Sequence, residues 1–167
     1  NAVKQYQTDR DPKDPLLAPK RCAVHFAVDD DDIKMCTWLC GKGSWFLPFN
    51  KGLNGGAGNP VNPKGVRTAY LWEEILAKES LSDIIENYAQ VVKKKDEKTG
   101  TEKTSVVWPR YHQLDGVRRL LAATRQKGVG QRFLIQHSAG SGKSNSITWL
   151  AYQLVGLLDG TQALLDS

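Results

Sequence analysis

Cysteine is scarce in this sequence, and long apolar runs are missing. The chain has 3 cysteines among 167 residues, and a small, odd number argues against a disulfide framework. No stretch reaches the roughly 18 consecutive apolar residues of a membrane-spanning helix, and the start shows no signal-peptide pattern. We therefore expect no membrane partner, and the cytoplasm is the expected location.

Hydrophobic and charged residues are present in ordinary amounts. Hydrophobic residues make up 40% of the chain, which is enough to bury a core. The 23 basic and 18 acidic residues give a formal charge of +5, which is compatible with a nucleic-acid partner without requiring one. The sequence starts in a polar, helix-like segment and stops after residues 163–167, where another strand could begin. We therefore interpret it as an internal fragment.

The few cysteines raise the question of a zinc site. Cys22, His25, Cys36 and Cys40 can be written as a four-ligand pattern. An extended segment over residues 21–28 would place Cys22 and His25 on opposite faces, whereas zinc needs convergent ligands. We therefore do not favour zinc.

Four consecutive aspartates, residues 29–32, predict the turn of a β-hairpin. Its strands are predicted over residues 21–28 and 33–40. Asp32 and Lys34 also fit half of the motif of a Mg²⁺-dependent nuclease, with Asp14 as a conceivable second carboxylate. We favour a solvated turn that stays open by like-charge repulsion, because aspartate-rich stretches often form turns.

Residues 41–65 are rich in glycine and proline, which is typical of a long, partly packed loop. Its aromatic residues, Trp45, Phe46 and Phe49, could stack on bases, but we favour a role as loop anchors. Two short helices are predicted next, over residues 71–76 and 81–88, with Ser80 or Ser82 as an N-cap.

Residues 91–107 predict an exposed, charged hairpin, which we interpret as a solvated ribbon although its lysines could touch DNA. A helix follows, and the apolar side chains Leu114, Val117, Leu120 and Leu121 share one of its faces. The glycines of residues 127–130 end it.

A phosphate-binding loop follows that helix. Residues 132–137 read as an apolar strand, the next residues as a small-residue loop, and Lys143 as a helix start. Gly140 and Gly142 let backbone N–H groups wrap a triphosphate, Lys143 supplies positive charge, and the Ser144 hydroxyl can ligate Mg²⁺. A flexible connector with an ordinary lysine is the alternative.

Two further features bear on this loop. His137 stands where the usual pattern has glycine, so the match is to a looser, helicase-like form. The helix after the loop has an apolar periodicity that predicts one buried face. That face comprises Ile147, Leu150, Ala151, Leu154, Val155 and Leu158.

Gln113, one helix ahead of this loop, lies in a Tyr-x-Gln element that resembles the adenine-reading Q motif of superfamily 2 helicases. The resemblance implies that the Gln113 amide selects ATP by bonding both a donor and an acceptor of the adenine edge.

More closely, residues 109–115 together with residues 136–146 resemble the restriction (motor) subunit of type I restriction-modification enzymes. The unusual His137 fits that family. Further similar segments lie over residues 6–10, 24–28, 46–52 and 70–74.

The resemblance implies an α/β fold in three parts. Residues 1–65 would be the tail of a mixed α+β, restriction-endonuclease-like domain, residues 66–104 a helical connector with the charged hairpin, and residues 105–167 the start of the first RecA-like motor domain. The nuclease catalytic residues would precede Asn1, and Gln5 and Tyr6 would match a glutamine and tyrosine element that follows them. The acidic motif that holds Mg²⁺ and the second motor domain are absent.

The resemblance also implies the chemistry and the partners. ATP and Mg²⁺ would be the cofactors, double-stranded DNA the substrate, and the methylation and specificity subunits the partners. The subunit would be an ATP-dependent, type I site-specific deoxyribonuclease, although this fragment alone should bind nucleotide poorly and hydrolyse nothing. The nucleotide-binding residues would be Gln113, Ser138, Ala139, Gly140, Ser141, Gly142, Lys143 and Ser144, the last through Mg²⁺. The alternatives are another superfamily 2 helicase or translocase without a nuclease, and a non-hydrolytic DNA-binding module.

Overall fold

The chain is a mixed α/β protein with small antiparallel sheets and helices. The computed structural model describes residues 2–18, 21–95, 100, 102–128 and 130–157. It divides into two compact units, Asn1–Arg110 and Tyr111–Ser167. None of the helices in the described ranges is both long and apolar enough to cross a membrane. The three-part domain division from the sequence stays a prediction.

The first unit begins with a helix and a three-stranded sheet. These elements are α1 (Ala2–Thr8), β1 (His25–Val28), β2 (Ile33–Cys36) and β3 (Leu47–Pro48). β2 lies between β1 and β3, and both pairings are antiparallel. The hairpin is confirmed, but its strands are shorter than predicted. β1 starts only at His25 because the N–H groups of Arg21 and Cys22 bond the carbonyl of Ala18 in a preceding turn.

The aspartate turn is closed, so the expectation that repulsion holds it open is wrong. The Asp29 N–H donates to the Asp32 carbonyl at 3.0 Å. Asp29 Oδ1 in turn accepts the N–H groups of Asp31 at 3.0 Å and Asp32 at 2.8 Å. Short polar side chains stabilise turns in this way, and these bonds outweigh the repulsion between exposed, solvated carboxylates.

The core of the first unit lies on the sheet and on the segments that cover it. Its fully or nearly fully buried members include Ile33, Met35, Phe49, Tyr70, Ile84 and Tyr88. Phe49 packs on Phe26 with ring centroids 5.2 Å apart, which confirms its role as a loop anchor. Trp45 is not an anchor, because 76% of its surface is exposed.

A π-helical turn (Leu71–Ile75) and α2 (Lys78–Asn87) follow. The prediction of Ser80 or Ser82 as N-cap is wrong. α2 starts earlier, with Ala77 as N-cap and the Ala77 carbonyl bonded to the Leu81 N–H at 2.8 Å.

The charged hairpin is confirmed. β4 (Gln90–Lys95) and β5 (Glu102–Val107) pair antiparallel, with Gln90 opposite Val107 and Lys95 opposite Glu102. The predicted turn falls largely on residues 96–99 and 101, which lie outside the described residues.

The second unit contains α3 (Tyr111–Lys127) and α4 (Lys143–Val155). α3 buries Leu114, Val117 and Leu121, as its periodicity predicts. It ends where predicted: Gly128 has φ +73°, and its N–H bonds the Thr124 carbonyl at 2.9 Å.

The strand predicted over residues 132–137 does not form. These residues have no assigned helix or strand, and Leu134 is 94% exposed. A strand exists only when a neighbouring strand satisfies its backbone groups, and the described residues from 111 to 157 contain no such neighbour.

The predicted buried face of α4 is also wrong. Ile147 and Val155 are 68% and 76% exposed, whereas Trp149 is buried. Burial needs a packing partner, and α3, the other described helix of this unit, covers only part of α4. Leu158 lies outside the described residues.

Candidate phosphate-binding site

The loop between residues 132–137 and α4 is shaped by two glycines. Gly140 has φ +70° and Gly142 has φ +81°, a region that strains other residues. A Cβ on Gly142 would also collide with the side-chain amide of Gln113, whereas one on Gly140 would meet open space. The Ser141 N–H closes the turn onto the Ser138 carbonyl at 3.3 Å. Backbone conformation therefore requires glycine at both positions.

Lys143 spans the loop from the first turn of α4. Its Nζ donates to the carbonyl of His137 at 3.1 Å and to that of Ser138 at 2.9 Å. An ammonium group has three protons, so one proton remains for another acceptor. Lys143 and its neighbour Ser144 are both exposed. The positive charge and the hydroxyl are therefore accessible to a ligand.

The start of α4 presents unbonded backbone donors. The first N–H groups of a helix have no intrahelical carbonyl to bond, and Gly142, the N-cap, makes no side-chain cap bond. In the described part of the chain, the N–H groups of Gly142, Lys143 and Ser144 donate no hydrogen bond. Such a group of donors at a helix N-terminus favours an anion.

Two consecutive residues of α3 hold the loop from the other side. The Gln113 side chain is buried and donates through Nε2 to the Gly142 carbonyl at 2.8 Å. His112 Nε2 lies 3.0 Å from the Ser141 carbonyl. Gln113 thus contacts the loop directly, and its role in reading adenine stays a prediction. His112 is the middle residue of the Tyr-x-Gln element and lies within residues 109–115, but neither the element nor the resemblance assigns it a role.

His137 fills the position at which the usual pattern has glycine. Its ring meets that of His112 edge-on, with centroids 4.9 Å apart and an interplanar angle of 81°. His137 also lies over Gly116 of α3, where a Cβ would make an ordinary 3.8 Å contact with His137 Cε1. The departure from the pattern is therefore a packing contact between the loop and α3.

The predicted nucleotide-binding residues meet at this one place. They comprise Gln113 from α3, the loop residues Ser138, Ala139, Gly140, Ser141 and Gly142, and Lys143 and Ser144 from α4. Ser141 is 6% exposed, and its Oγ has no hydrogen-bond partner among the described residues. A buried hydroxyl without a partner is costly, so a polar ligand here would relieve a deficit.

An apolar cavity of about 130 Å³ lies beside the loop. It is lined by Gln113, Gly116, Val117, Leu120, Ile135, His137, Lys143, Ser146, Ile147 and Leu150. Because most of its wall is aliphatic, it offers contact area rather than hydrogen bonds.

The expectation that the side chains of Cys22 and His25 point to opposite faces is wrong. Cys22 precedes β1, and its Sγ lies 3.5 Å from His25 Nδ1, so the two side chains converge. Even so, among the described residues no three His, Cys, Asp or Glu side chains are grouped to hold a metal ion. Burial raises the pKa of the Cys22 thiol and lowers the pKa of His25. Both groups therefore favour their neutral forms, unlike an activated nucleophile.

The carboxylates of the alternative nuclease motif serve the fold. Asp29, Asp32 and Lys34 line a recess of about 60 Å³. Asp32 Oδ1 accepts the Asn50 amide at 2.8 Å. Asp14 accepts the N–H of Leu16 in its own turn at 2.9 Å. These bonds support the turn interpretation.

Two of the segments named for the sequence resemblance, residues 46–52 and 70–74, are in contact in the structure. Lys51 Nζ bonds both carboxylate oxygens of Glu74 at 2.8 and 2.9 Å and lies 4.7 Å from the Tyr70 ring centroid. The Tyr70 hydroxyl donates to the Phe49 carbonyl at 2.7 Å. These contacts join the glycine-rich loop to the π-helical turn and have no evident chemical role.

Tyr6, which the resemblance pairs with Gln5, is a packing residue in the structure. Its ring lies 5.6 Å from both the His25 and the Phe46 rings. Gln5 contributes its backbone carbonyl, which accepts the N–H groups of Asp9 and Arg10.

Comparison of the chain with protein-family models, with curated proteins and with solved structures finds no match.

Proposed function

We propose that the loop around Lys143 binds the phosphates of ATP, and that the chain belongs to the ATP-dependent, DNA-translocating endonuclease subunit of a type I restriction-modification system. One observation carries the nucleotide proposal. Lys143 Nζ, the first N–H groups of α4, which donate no hydrogen bond among the described residues, and two glycines with positive φ converge at one loop. These groups suit an extended polyanion, because they combine a positive charge with backbone N–H dipoles.

Each residue has a role in this proposal. Lys143 neutralises the β- and γ-phosphates, the backbone from Ala139 to Gly142 cradles them, and Ser144 ligates Mg²⁺. Gln113 reads the adenine edge, as the resemblance implies.

The wider identity rests on the sequence resemblance. In that proposal residues 1–65 are the tail of a restriction-endonuclease-like domain, and residues 105–167 open the first RecA-like motor domain. The subunit translocates on double-stranded DNA beside methylation and specificity subunits and cuts it. The nuclease residues and the acidic Mg²⁺ motif belong to other parts of that subunit.

The test is ATP hydrolysis by the complete subunit with and without unmethylated DNA, for wild type, Lys143→Ala and Lys127→Ala. Lys127 is an exposed cation in the last turn of α3 and serves as the matched control. We expect DNA-stimulated hydrolysis and ATP-dependent cleavage to be lost in Lys143→Ala and retained in Lys127→Ala.

Each other outcome selects an alternative. Hydrolysis and cleavage that survive in Lys143→Ala would refute the proposed site. DNA-stimulated hydrolysis without cleavage in wild type would favour a helicase or translocase. DNA binding without hydrolysis, unchanged by Lys143→Ala, would favour the non-hydrolytic module.

A further inference from the structure

We propose that His112 is a positioning residue for the phosphate cradle: it holds the Ser141 carbonyl so that the Gly142 N–H is turned toward the polyphosphate. This inference rests on the proposed nucleotide function and names the residue between Tyr111 and Gln113, for which the Tyr-x-Gln element specifies no residue type. A carbonyl oxygen only accepts, so the 3.0 Å contact requires the proton on His112 Nε2.

The geometry of the Ser141–Gly142 peptide connects His112 to the phosphate-binding backbone. In a planar trans peptide the C=O and the following N–H point in opposite directions. Because the Ser141 carbonyl is directed to His112, the Gly142 N–H is directed away from it. The φ of +81° at Gly142 then passes the chain into α4, whose first N–H groups follow.

His137 keeps the His112 ring in place. The two rings meet edge-on at 4.9 Å, and His137 also lies over Gly116 of α3. The next residue of α3, Gln113, bonds the next carbonyl of the loop, that of Gly142. The Gly142 carbonyl also accepts the Asn145 N–H at 3.1 Å, so α4 already orients it. Of these two α3 side chains, His112 is therefore the one whose loss would let the Ser141–Gly142 peptide change its orientation.

A second observation points to a ligand at this peptide. The Ser141 side chain is 6% exposed, and its Oγ lacks a hydrogen-bond partner in the described part of the chain. The Ser141 hydroxyl and the Gly142 N–H belong to adjacent residues and both need an acceptor. Phosphate oxygens supply several acceptors at once. The ligand we infer for the peptide held by His112 is therefore the polyphosphate part of a nucleotide and not its base.

The experiment measures binding of Mg²⁺-tripolyphosphate and of Mg²⁺-ATP by NMR titration of the 167-residue chain, a method that also detects millimolar affinity. The variants are His112→Phe, which keeps a ring beside His137 but removes the donor, and His112→Gln, whose amide restores a donor near Nε2. We expect His112→Phe to weaken both ligands by about tenfold, the worth of one hydrogen bond, and His112→Gln to recover most of that loss.

A merely structural role for His112 predicts a different pattern, in which both substitutions weaken binding alike with no rescue by glutamine. Unchanged tripolyphosphate binding in His112→Phe, or a loss confined to ATP, would overturn the inference.

Lys143→Ala separates this inference from the proposed function. If wild type binds tripolyphosphate and Lys143→Ala does not, the site is established and the His112 variants decide its geometry. If wild type binds neither ligand at millimolar concentration, the positioning role in this chain is overturned, and the hydrolysis test on the complete subunit decides the proposed function separately. Gln113→Leu adds a further distinction, because an adenine reader should change the preference for ATP over GTP and leave tripolyphosphate largely unaffected.

Discussion

Asn59 is a buried polar residue that joins the glycine-rich loop to the aspartate turn. Its Nδ2 donates to the Asp31 carbonyl at 2.8 Å and to Asn50 Oδ1 at 2.9 Å, and its Oδ1 accepts the Lys51 N–H at 2.8 Å. Asn59→Ala would remove all three hydrogen bonds from a site that is 2% exposed, although Asn50 Oδ1 would keep the Ile33 N–H. We expect the free energy of unfolding to fall by about 2–3 kcal/mol, as measured by urea denaturation.

Asn87→Ala is the control for that measurement. Asn87 Nδ2 bonds Asp83 Oδ1 at 2.9 Å within α2, a helical i, i+4 pair worth about 0.2–0.5 kcal/mol. Equal costs for the two substitutions would show that the Asn59 network contributes little.

His25 gives the first unit a dependence on pH. Burial lowers its pKa below the ordinary value of 6.5, against a weaker opposing bond to the Leu17 backbone. Above pH 6.5 His25 is neutral in both states, so its contribution to stability is constant. As pH falls through 6.5 the unfolded chain binds the proton first, so stability declines until folded His25 is protonated too.

We therefore expect His25→Phe to lose less stability than wild type between pH 7.5 and 5.5, as measured by urea denaturation at both values. Phenylalanine does not titrate and keeps a ring against Tyr6, which lies 5.6 Å from His25. The same pH-dependent loss in both proteins would assign the effect to other groups.

At the scale of elements, Gly116 in α3 and Gly142 at the end of the phosphate loop should respond oppositely to substitution by alanine. Gly116 lies inside α3, and a Cβ there makes an ordinary 3.8 Å contact with His137. Gly116→Ala should raise the free energy of unfolding by about 0.5–1 kcal/mol, because glycine weakens a helix interior. Gly142→Ala combines a φ of +81° with a collision against Gln113, so tripolyphosphate binding should be lost.

NMR titration together with urea denaturation checks this pair. Tripolyphosphate binding that survives in Gly142→Ala would show that the loop adopts another conformation. A destabilised Gly116→Ala would mean that the contact with His137 is tighter than it is in the structure.

The buried side of α4 is open to a direct test. Trp149 is 2% exposed and Val155 is 76% exposed. Trp149→Ala should lower the free energy of unfolding by about 3–5 kcal/mol, whereas Val155→Ala should change it by less than about 0.5 kcal/mol. Thermal unfolding followed by circular dichroism measures both. A larger loss of stability in Val155→Ala than in Trp149→Ala would support the buried face of α4 that the sequence periodicity predicts.

The sequence patterns succeed for elements whose partners are close along the chain. The aspartate hairpin, the charged hairpin and the end of α3 at Gly128 follow from turn residues and alternation within a few positions. The strand over residues 132–137 and the buried face of α4 depend on neighbours that no local pattern specifies. His112 escaped notice for the same reason, because its partner, Ser141, is 29 positions away.

On the scale of the whole molecule, the two compact units place their tryptophans unequally. Of the 5 tryptophans, Trp149 is in Tyr111–Ser167 and the other 4, Trp38, Trp45, Trp72 and Trp108, are in Asn1–Arg110. The fluorescence of Trp149→Phe therefore reports the first unit, and the difference from wild type reports the second. Phenylalanine at this buried position retains most of the apolar contact.

We expect Mg²⁺-tripolyphosphate to raise the urea midpoint of the Trp149 signal and to leave the midpoint of Trp149→Phe unchanged. A ligand stabilises only the unit that binds it, by about 1.4 kcal/mol at ten times Kd, and separate cores unfold separately unless their interface is large. A common shift in both proteins would show that the units unfold together. A shift confined to Trp149→Phe would place the ligand in the first unit, and a shift in neither protein would show that the chain does not bind it, because binding stabilises the folded state.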